Sequence, residues 1–167
     1  GKSCEKVGIS GSMFSGISAL SLDAKGRMTL PTRYRDALHR ASEGQVALLE
    51  SNDGCLLLMP FNQWSRRVER LTQASGPTSA SEDADQDMDW DDDTGQERRR
   101  FWLGLSDTPE LDSAGRILIN PVLREGAGIS REVMLLGVGS HFELWDPERL
   151  SRHKEQVRAR KFRGGRD

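Results

Sequence analysis

The sequence predicts an α+β protein built from a duplicated unit, and three observations carry the prediction. First, Leu22-Asp23-Ala24-Lys25-Gly26-Arg27-Met28-Thr29-Leu30-Pro31-Thr32-Arg33-Tyr34-Arg35 recurs 89 residues later as Leu111-Asp112-Ser113-Ala114-Gly115-Arg116-Ile117-Leu118-Ile119-Asn120-Pro121-Val122-Leu123-Arg124, identical at five of fourteen positions. Second, each copy is followed by two apolar runs and a helix-like segment, so the repeat extends well beyond the motif. Third, each half has only about sixty residues, which is small for a core of its own. Two such halves in one chain are expected to bury a shared apolar face.

Within each unit the elements follow from the residues. An apolar alternation enters Asp-x-x-Gly-Arg and another leaves it, which reads as two short strands joined by a tight turn. Asp suits the turn entry because its carboxylate accepts from backbone N–H groups two residues on, and Gly tolerates positive φ. Pro31 and Pro121 then mark helix starts, where the missing N–H costs nothing. Short helices are expected over about 32–41 and 121–127, with Gly128 placed to end the second. Val46 to Glu50 and Cys55 to Met59 read as strands around a Ser51-Asn52-Asp53-Gly54 turn. Val133 to Leu136 and Phe142 to Trp145 repeat the pattern. Phe61, Trp64, Val68 and Leu71 form an apolar helical stripe suited to core or subunit packing. Asp146 caps a last helix that begins at Pro147.

The remaining segments divide the chain. Gly1 to Ser12 lacks periodicity; Met13 is expected to be the natural start and residues 1–12 an added leader. A first unit is expected over 13–74 and a second over 97–161, followed by a basic tail, 162–167. Between the units, 75–96 reads as a solvated flexible linker, with eight acids from Glu82 to Asp93. Asp85-x-Asp87-x-Asp89 begins like a calcium loop. Trp90 stands where that loop needs glycine, and Gln96 where it needs a bidentate Glu, so calcium is rejected.

Charge is segregated. The chain carries −2 overall, yet without the acidic run the rest carries +6. From Asp23 to Arg40 five cations (Lys25, Arg27, Arg33, Arg35, Arg40) face two acids, a local +3. From Glu110 to Glu132 three arginines face four acids, a local −1. Two readings stand for the Asp and Arg of the motif. An exposed pair across the turn staples the hairpin and contributes little; alternatively, the loop is a cationic tip for a polyanion. The charge count favours the second reading for the first copy and mainly architecture for the second. On that basis Arg27 is assigned to base or phosphate contact and Lys25, Arg33 and Arg35 to phosphates, with Asp23 and Gly26 fixing the turn. Asp112, Gly115 and Arg116 form the second copy.

Other function classes find little support. His39, His141 and His153 lack ligand spacing, and Cys4 with Cys55 makes neither a zinc site nor a disulfide framework. No nucleophile–base pair or P-loop occurs, and Gly137-Val138-Gly139 lacks the third glycine of a dinucleotide fingerprint. An enzyme is not expected, nor a metal, a cofactor or a membrane span. The competing reading is an oligomeric scaffold with only non-specific nucleic-acid affinity. The acidic run adds a further expectation: it competes with DNA for the basic face around Arg27.

Beyond these inferences, the sequence resembles the bacterial MraZ family. The likeness is carried by Met13-Phe14-Ser15-Gly16, by both Asp-x-x-x-Arg motifs, by Pro31-Thr32-Arg33-Tyr34-Arg35, and by Phe142-Glu143-Leu144-Trp145. It runs from Met13 to about Val157, the linker excepted. The resemblance implies two tandem swapped-hairpin units of the AbrB/SpoVT type, packed as an intrachain pseudo-dimeric β-barrel with peripheral helices. It implies a ring-shaped homo-oligomer and a cytoplasmic, nucleoid-associated transcriptional regulator. The expected partner is double-stranded DNA, read as short direct repeats upstream of the division and cell wall gene cluster. It places the DNA-contacting motif on Asp23 to Arg27, with Arg27 critical, and the second copy on Asp112 to Arg116. The chain departs from the family pattern in its long acidic linker and at Asn120, where proline is common.

Overall fold

A computed structural model describes residues 13–73 and 93–164. The leader, Cys4, Trp90 and the acidic run up to Asp92 lie outside the described residues. The first repeat runs β1 (Phe14–Ser21), β2 (Arg27–Thr29), α1 (Thr32–Ser42), β3 (Val46–Glu50), β4 (Leu56–Pro60) and α2 (Phe61–Gln73). In the second, α3 (Asp93–Arg99) and a π-helical turn (Arg100–Gly104) lead into β5 (Ser106–Asp107). Then follow β6 (Arg116–Leu118), α4 (Pro121–Gly126), β7 (Glu132–Gly139), β8 (Phe142–Trp145) and α5 (Pro147–Gly164). From β1 and from β5 onward, the element order is the same twice.

The repeats exchange strands. A six-stranded antiparallel sheet has the order β1-β7-β8-β4-β3-β5, and β2 pairs with β6 as a separate two-stranded ribbon. Thus β1 of the first repeat lies on β7 of the second, β5 of the second lies on β3 of the first, and β4 and β8 meet in the middle. Reversing the sheet order interchanges the two repeats, as a two-fold axis between β4 and β8 requires. The strands do not close a barrel. β1 and β5 remain the two ends of the sheet, and the three-residue β2 and β6 pair only with each other, apart from an isolated Leu22–Met28 bridge. β5 is two residues long because Pro109 follows it.

The sheet buries both faces, which explains why β3 reads as an unbroken apolar run rather than an alternation. On the inner face Leu48, Leu56, Leu58, Val133, Leu135, Phe142 and Leu144 pack against Met28 and Ile117 of the ribbon. Tyr34 and Leu38 of α1 and Leu123 and Ala127 of α4 complete that core. Phe14, Tyr34 and Phe142 form a ring cluster across the two repeats, with centroids 4.2–5.8 Å apart. On the outer face Ala47, Leu49 and Met59 lie under Trp64 of α2 and Trp102 of the π turn. Cys55 and Trp145 lie under Leu150 of α5. The stripe Phe61, Trp64, Val68 and Leu71 is half-buried there, as its packing role requires.

Two helix starts differ in detail. Pro121 is the first residue of α4, and Asn120 caps it by accepting from the Val122 N–H at 2.9 Å. Pro31 sits one position earlier, as the residue preceding α1, with φ −57° and ψ 145°. Its φ would suit a helix, but its extended ψ leaves it outside, and no side chain caps α1. Asn120, the departure from the family pattern, therefore supplies the cap that Pro31 cannot.

Candidate nucleic-acid interface

Each Asp-x-x-x-Arg motif folds into the same closed turn. In the first, the Asp23 N–H donates to Arg27 O and the Gly26 N–H to Asp23 O, each at 2.9 Å. The carboxylate of Asp23 then accepts three bonds, all at 2.9 Å: Lys25 N and Arg27 N on Oδ1, and Arg27 Nε on Oδ2. The second copy reproduces this set. Asp112 Oδ1 accepts from Ala114 N at 2.9 Å and Arg116 N at 2.8 Å, and Oδ2 accepts from Arg116 Nε at 2.9 Å. Both carboxyls are held below the ordinary Asp value. The chief cause is the backbone N–H of Arg27 for Asp23 and of Arg116 for Asp112; desolvation partly opposes it.

The stapling and cationic-tip readings turn out to be compatible. Each aspartate holds its arginine through Nε alone. Among the described residues nothing takes up the terminal nitrogens of Arg27 or Arg116. The side chains are 28% and 35% exposed. The staple thus fixes the guanidinium and leaves its donor fork open.

Ribbon register decides where the two forks go. Arg27 pairs with Leu118, Met28 with Ile117, and Thr29 with Arg116. Because side chains alternate across a strand, Met28 and Ile117 share the buried face, and Arg27, Thr29, Arg116 and Leu118 share the other. Met28 and Ile117 are fully buried, while Thr29 and Leu118 are exposed, Leu118 at 48%. Both motif arginines therefore lie on one solvent-facing surface of a two-stranded ribbon. The segment charges suggested that the second copy was mainly architectural. That count could not anticipate the pairing, which brings Arg116 diagonally beside Arg27 whatever its sequence neighbours carry.

The other assigned cations are distributed unevenly. Lys25 is exposed at the tip of the first turn. Arg33 instead lies against Tyr34, its Nη2 donating to the phenol oxygen at 2.9 Å and its Cζ 4.4 Å from the ring centroid. The Tyr34 hydroxyl in turn donates to Ser15 O at 2.6 Å. Arg35 is half-buried, donates from Nε to Leu30 O at 2.8 Å, and lies over the Gly115 turn of the other repeat. Its counterpart Arg124 lies over the Gly26 turn, with Nη1 2.9 Å from where a Gly26 Cβ would stand. Backbone bonds repeat the exchange: Leu30 N–H donates to Gly115 O at 2.9 Å and Ile119 N–H to Gly26 O at 3.0 Å. Each turn is thus completed by the last arginine of the opposite copy. Arg124 was not among the assigned residues. Its signal was present as one of the five identities of the repeat, but only the strand exchange shows which turn it serves.

Among the described residues no group of three His, Cys, Asp or Glu could hold a metal ion. No described helix is long and apolar enough to cross a membrane. Cys55 is buried, and burial pushes its thiol up to about 12, which makes it unreactive.

Comparison with known proteins gives the family. The family model described as "MraZ protein, putative antitoxin-like" matches residues 13–87 and 103–163. Proteins named "Transcriptional regulator MraZ" from Burkholderia cenocepacia (strain HI2424), Burkholderia mallei (strain SAVP1) and Burkholderia pseudomallei (strain 668) are each 48% identical over 145 residues. The alignments cover 87% of this chain and 89% of each relative. With both repeats matched at this identity, the chain belongs to the MraZ family.

Proposed function

We propose that the protein is a sequence-specific DNA-binding transcriptional regulator that reads the major groove with its β2–β6 ribbon. The observation that carries this reading is the placement of Arg27 and Arg116 on one exposed ribbon face, each held through Nε with its terminal nitrogens open. A two-stranded β-ribbon fits a groove about 12 Å wide, and an arginine fork matches guanine O6 and N7. Asp23 and Asp112 hold the guanidinium groups before binding, which reduces the ordering cost at the interface. Lys25, Arg35 and Arg124 flank the two turns as phosphate contacts. Arg33, committed to Tyr34, serves there only if it leaves the ring.

The two units, taken as 13–74 and 97–161, act as exchanged hairpins of the AbrB type, each placing one loop on the ribbon. Several copies in a closed ring would set such ribbons side by side and engage successive short direct repeats, gaining by effective concentration. The targets in this reading lie upstream of the division and cell wall gene cluster, the protein's own gene included. The site of action is the cytoplasm, in association with the nucleoid. Support comes from the ribbon geometry and from relatives bearing the name of transcriptional regulators.

The test is a binding selection from a random duplex pool, followed by titration of the enriched sequence. Arg27→Ala and Arg116→Ala should each reduce affinity for it tenfold or more, and Arg27→Lys should retain non-specific binding while losing discrimination. An unenriched pool, or equal binding by wild type and Arg27→Ala, refutes the reading and leaves an oligomeric scaffold with non-specific affinity.

A further inference from the structure

The ribbon uses one face of the sheet, yet the longest helix lies on the other. α5 is fastened to the outer face by Leu150 against Trp145 and Cys55, and by His153, whose ring is 4.9 Å from that of Trp145. Beyond His153, from residue 154 to 161, only Val157 is even half-buried. On this exposed stretch Lys154, Arg158 and Lys161 follow one another at intervals of four and three residues. That spacing aligns them along one edge of the helix over about 10 Å. Arg152 and Arg160 stand on other sides, and Glu155 is the one acid from 151 to 161. Among the described residues none of these five cations has an ion pair or hydrogen-bond partner.

We propose that the Lys154–Arg158–Lys161 edge of α5 is a second, sequence-independent site for the phosphate backbone of double-stranded DNA. It lies across the sheet from the reading ribbon, so that one subunit holds two duplex segments. Three things favour this ligand. A row of unpaired cations without acceptors or shape offers charge neutralisation and no base reading, which suits a phosphate backbone. Residues 151–161 expose no large apolar side chain, so this stretch lacks the face that a membrane surface or a stable subunit contact would need. α5 leaves from the outer face of the sheet while the ribbon packs on the inner one, so the two sites start from opposite sides of it. The inference shares its partner class with the ribbon reading but depends on other residues.

The experiment uses the full chain and a variant carrying Lys154→Gln, Arg158→Gln and Lys161→Gln, beside an Arg27→Ala/Arg116→Ala variant that disables the ribbon. Binding to a random-sequence 30-base-pair duplex is titrated against salt. Removing the three cations should lower the slope of log K against log salt by about 2–3, in the ribbon-disabled background as well as in the wild type. An unchanged slope in either background overturns the proposal. A change in solution mass would make α5 a subunit contact, and loss of binding to phosphatidylserine vesicles in place of duplex would make it a membrane contact; either overturns it. If the slope appears only after residues 82–92 are deleted, the acidic run occupies α5 instead, and the proposal fails. Loss of selectivity in the ribbon variant with its α5 slope intact tests the ribbon reading separately.

Discussion

Gly26 and Gly115 occupy equivalent turns, yet alanine there should not cost the same. Their φ values are +84° and +79°, so an L-residue pays about 1–2 kcal/mol for the left-handed conformation at either site. Reduced freedom of the unfolded chain returns about 0.4–1 kcal/mol, leaving a net cost near ~1 kcal/mol. The difference lies in what the new Cβ meets. At Gly26 it meets the far end of Arg124, whose guanidinium has no hydrogen-bond partner among the described residues and can swing away. At Gly115 it falls on Cδ and Nε of Arg35, and that Nε donates to Leu30 O at 2.8 Å. Displacing it loses a half-buried charged hydrogen bond, a further cost of about 1 kcal/mol after allowance for solvent. Gly26→Ala should therefore lose about 1 kcal/mol and Gly115→Ala about 2 kcal/mol, which in urea separates the midpoints by roughly 0.5 M. In an Arg35→Ala background the Gly115→Ala cost should fall to that of Gly26→Ala. Equal costs, the reverse order, or no relief by Arg35→Ala would refute the assignment of Arg35 to the opposite turn.

Other outcomes follow from the same geometry. Asp23 and Asp112 have lowered pKa values in the folded protein, so their contribution to stability is present above about pH 4, the ordinary Asp value, and is lost as pH falls through the lowered folded values. Asp23→Asn/Asp112→Asn should flatten the acid limb of a stability-against-pH curve; an unchanged limb would place the acid-labile groups elsewhere. Asn120→Ala removes the side-chain acceptor for Val122 N–H and should cost about 0.5–2 kcal/mol in thermal or urea unfolding. Thr32→Ala in α1, where no side chain caps the helix, should cost far less, and parity between the two would argue against the cap.

Much of this was legible in the sequence because local chemistry determined it. Asp-x-x-Gly-Arg specifies the bonds within its turn through one carboxylate and one positive φ. The apolar runs of β3, β4, β7 and β8 likewise declared strands. What the sequence did not show depends on partners distant along the chain. Local charge around Arg116 gave no hint of the face it shares with Arg27, because β2 meets β6 only after both repeats have folded. Arg35 and Arg124 looked like surface cations following a helix start, and strand exchange turns each onto the other repeat's glycine. Pro31 looked like a first helical residue by analogy with Pro121, but the motifs align Pro31 with Asn120 instead. The linker's anchors were similarly hidden. Gln73 ends α2 and Asp93 begins α3, and residues 74–92 between them lie outside the described residues.

Exchange also explains why two loops with different neighbours should act as one reader. Among the described residues β2 finds its one extended partner in β6 of the other repeat, and a single Leu22–Met28 bridge ties it to its own. Loss of register in one motif therefore moves the other, and the Leu30–Gly115 and Ile119–Gly26 bonds transmit the shift in both directions. A substitution that frees the second turn, such as Asp112→Ala, should weaken DNA discrimination by Arg27 as well as by Arg116. Two independent loops would give additive losses for Asp112→Ala and Arg27→Ala; a single rigid ribbon should give a double variant little worse than Arg27→Ala alone. A titration of the four proteins of that cycle on one enriched duplex separates the two cases, and strict additivity would mean that the shared strand pair holds the loops without coupling them.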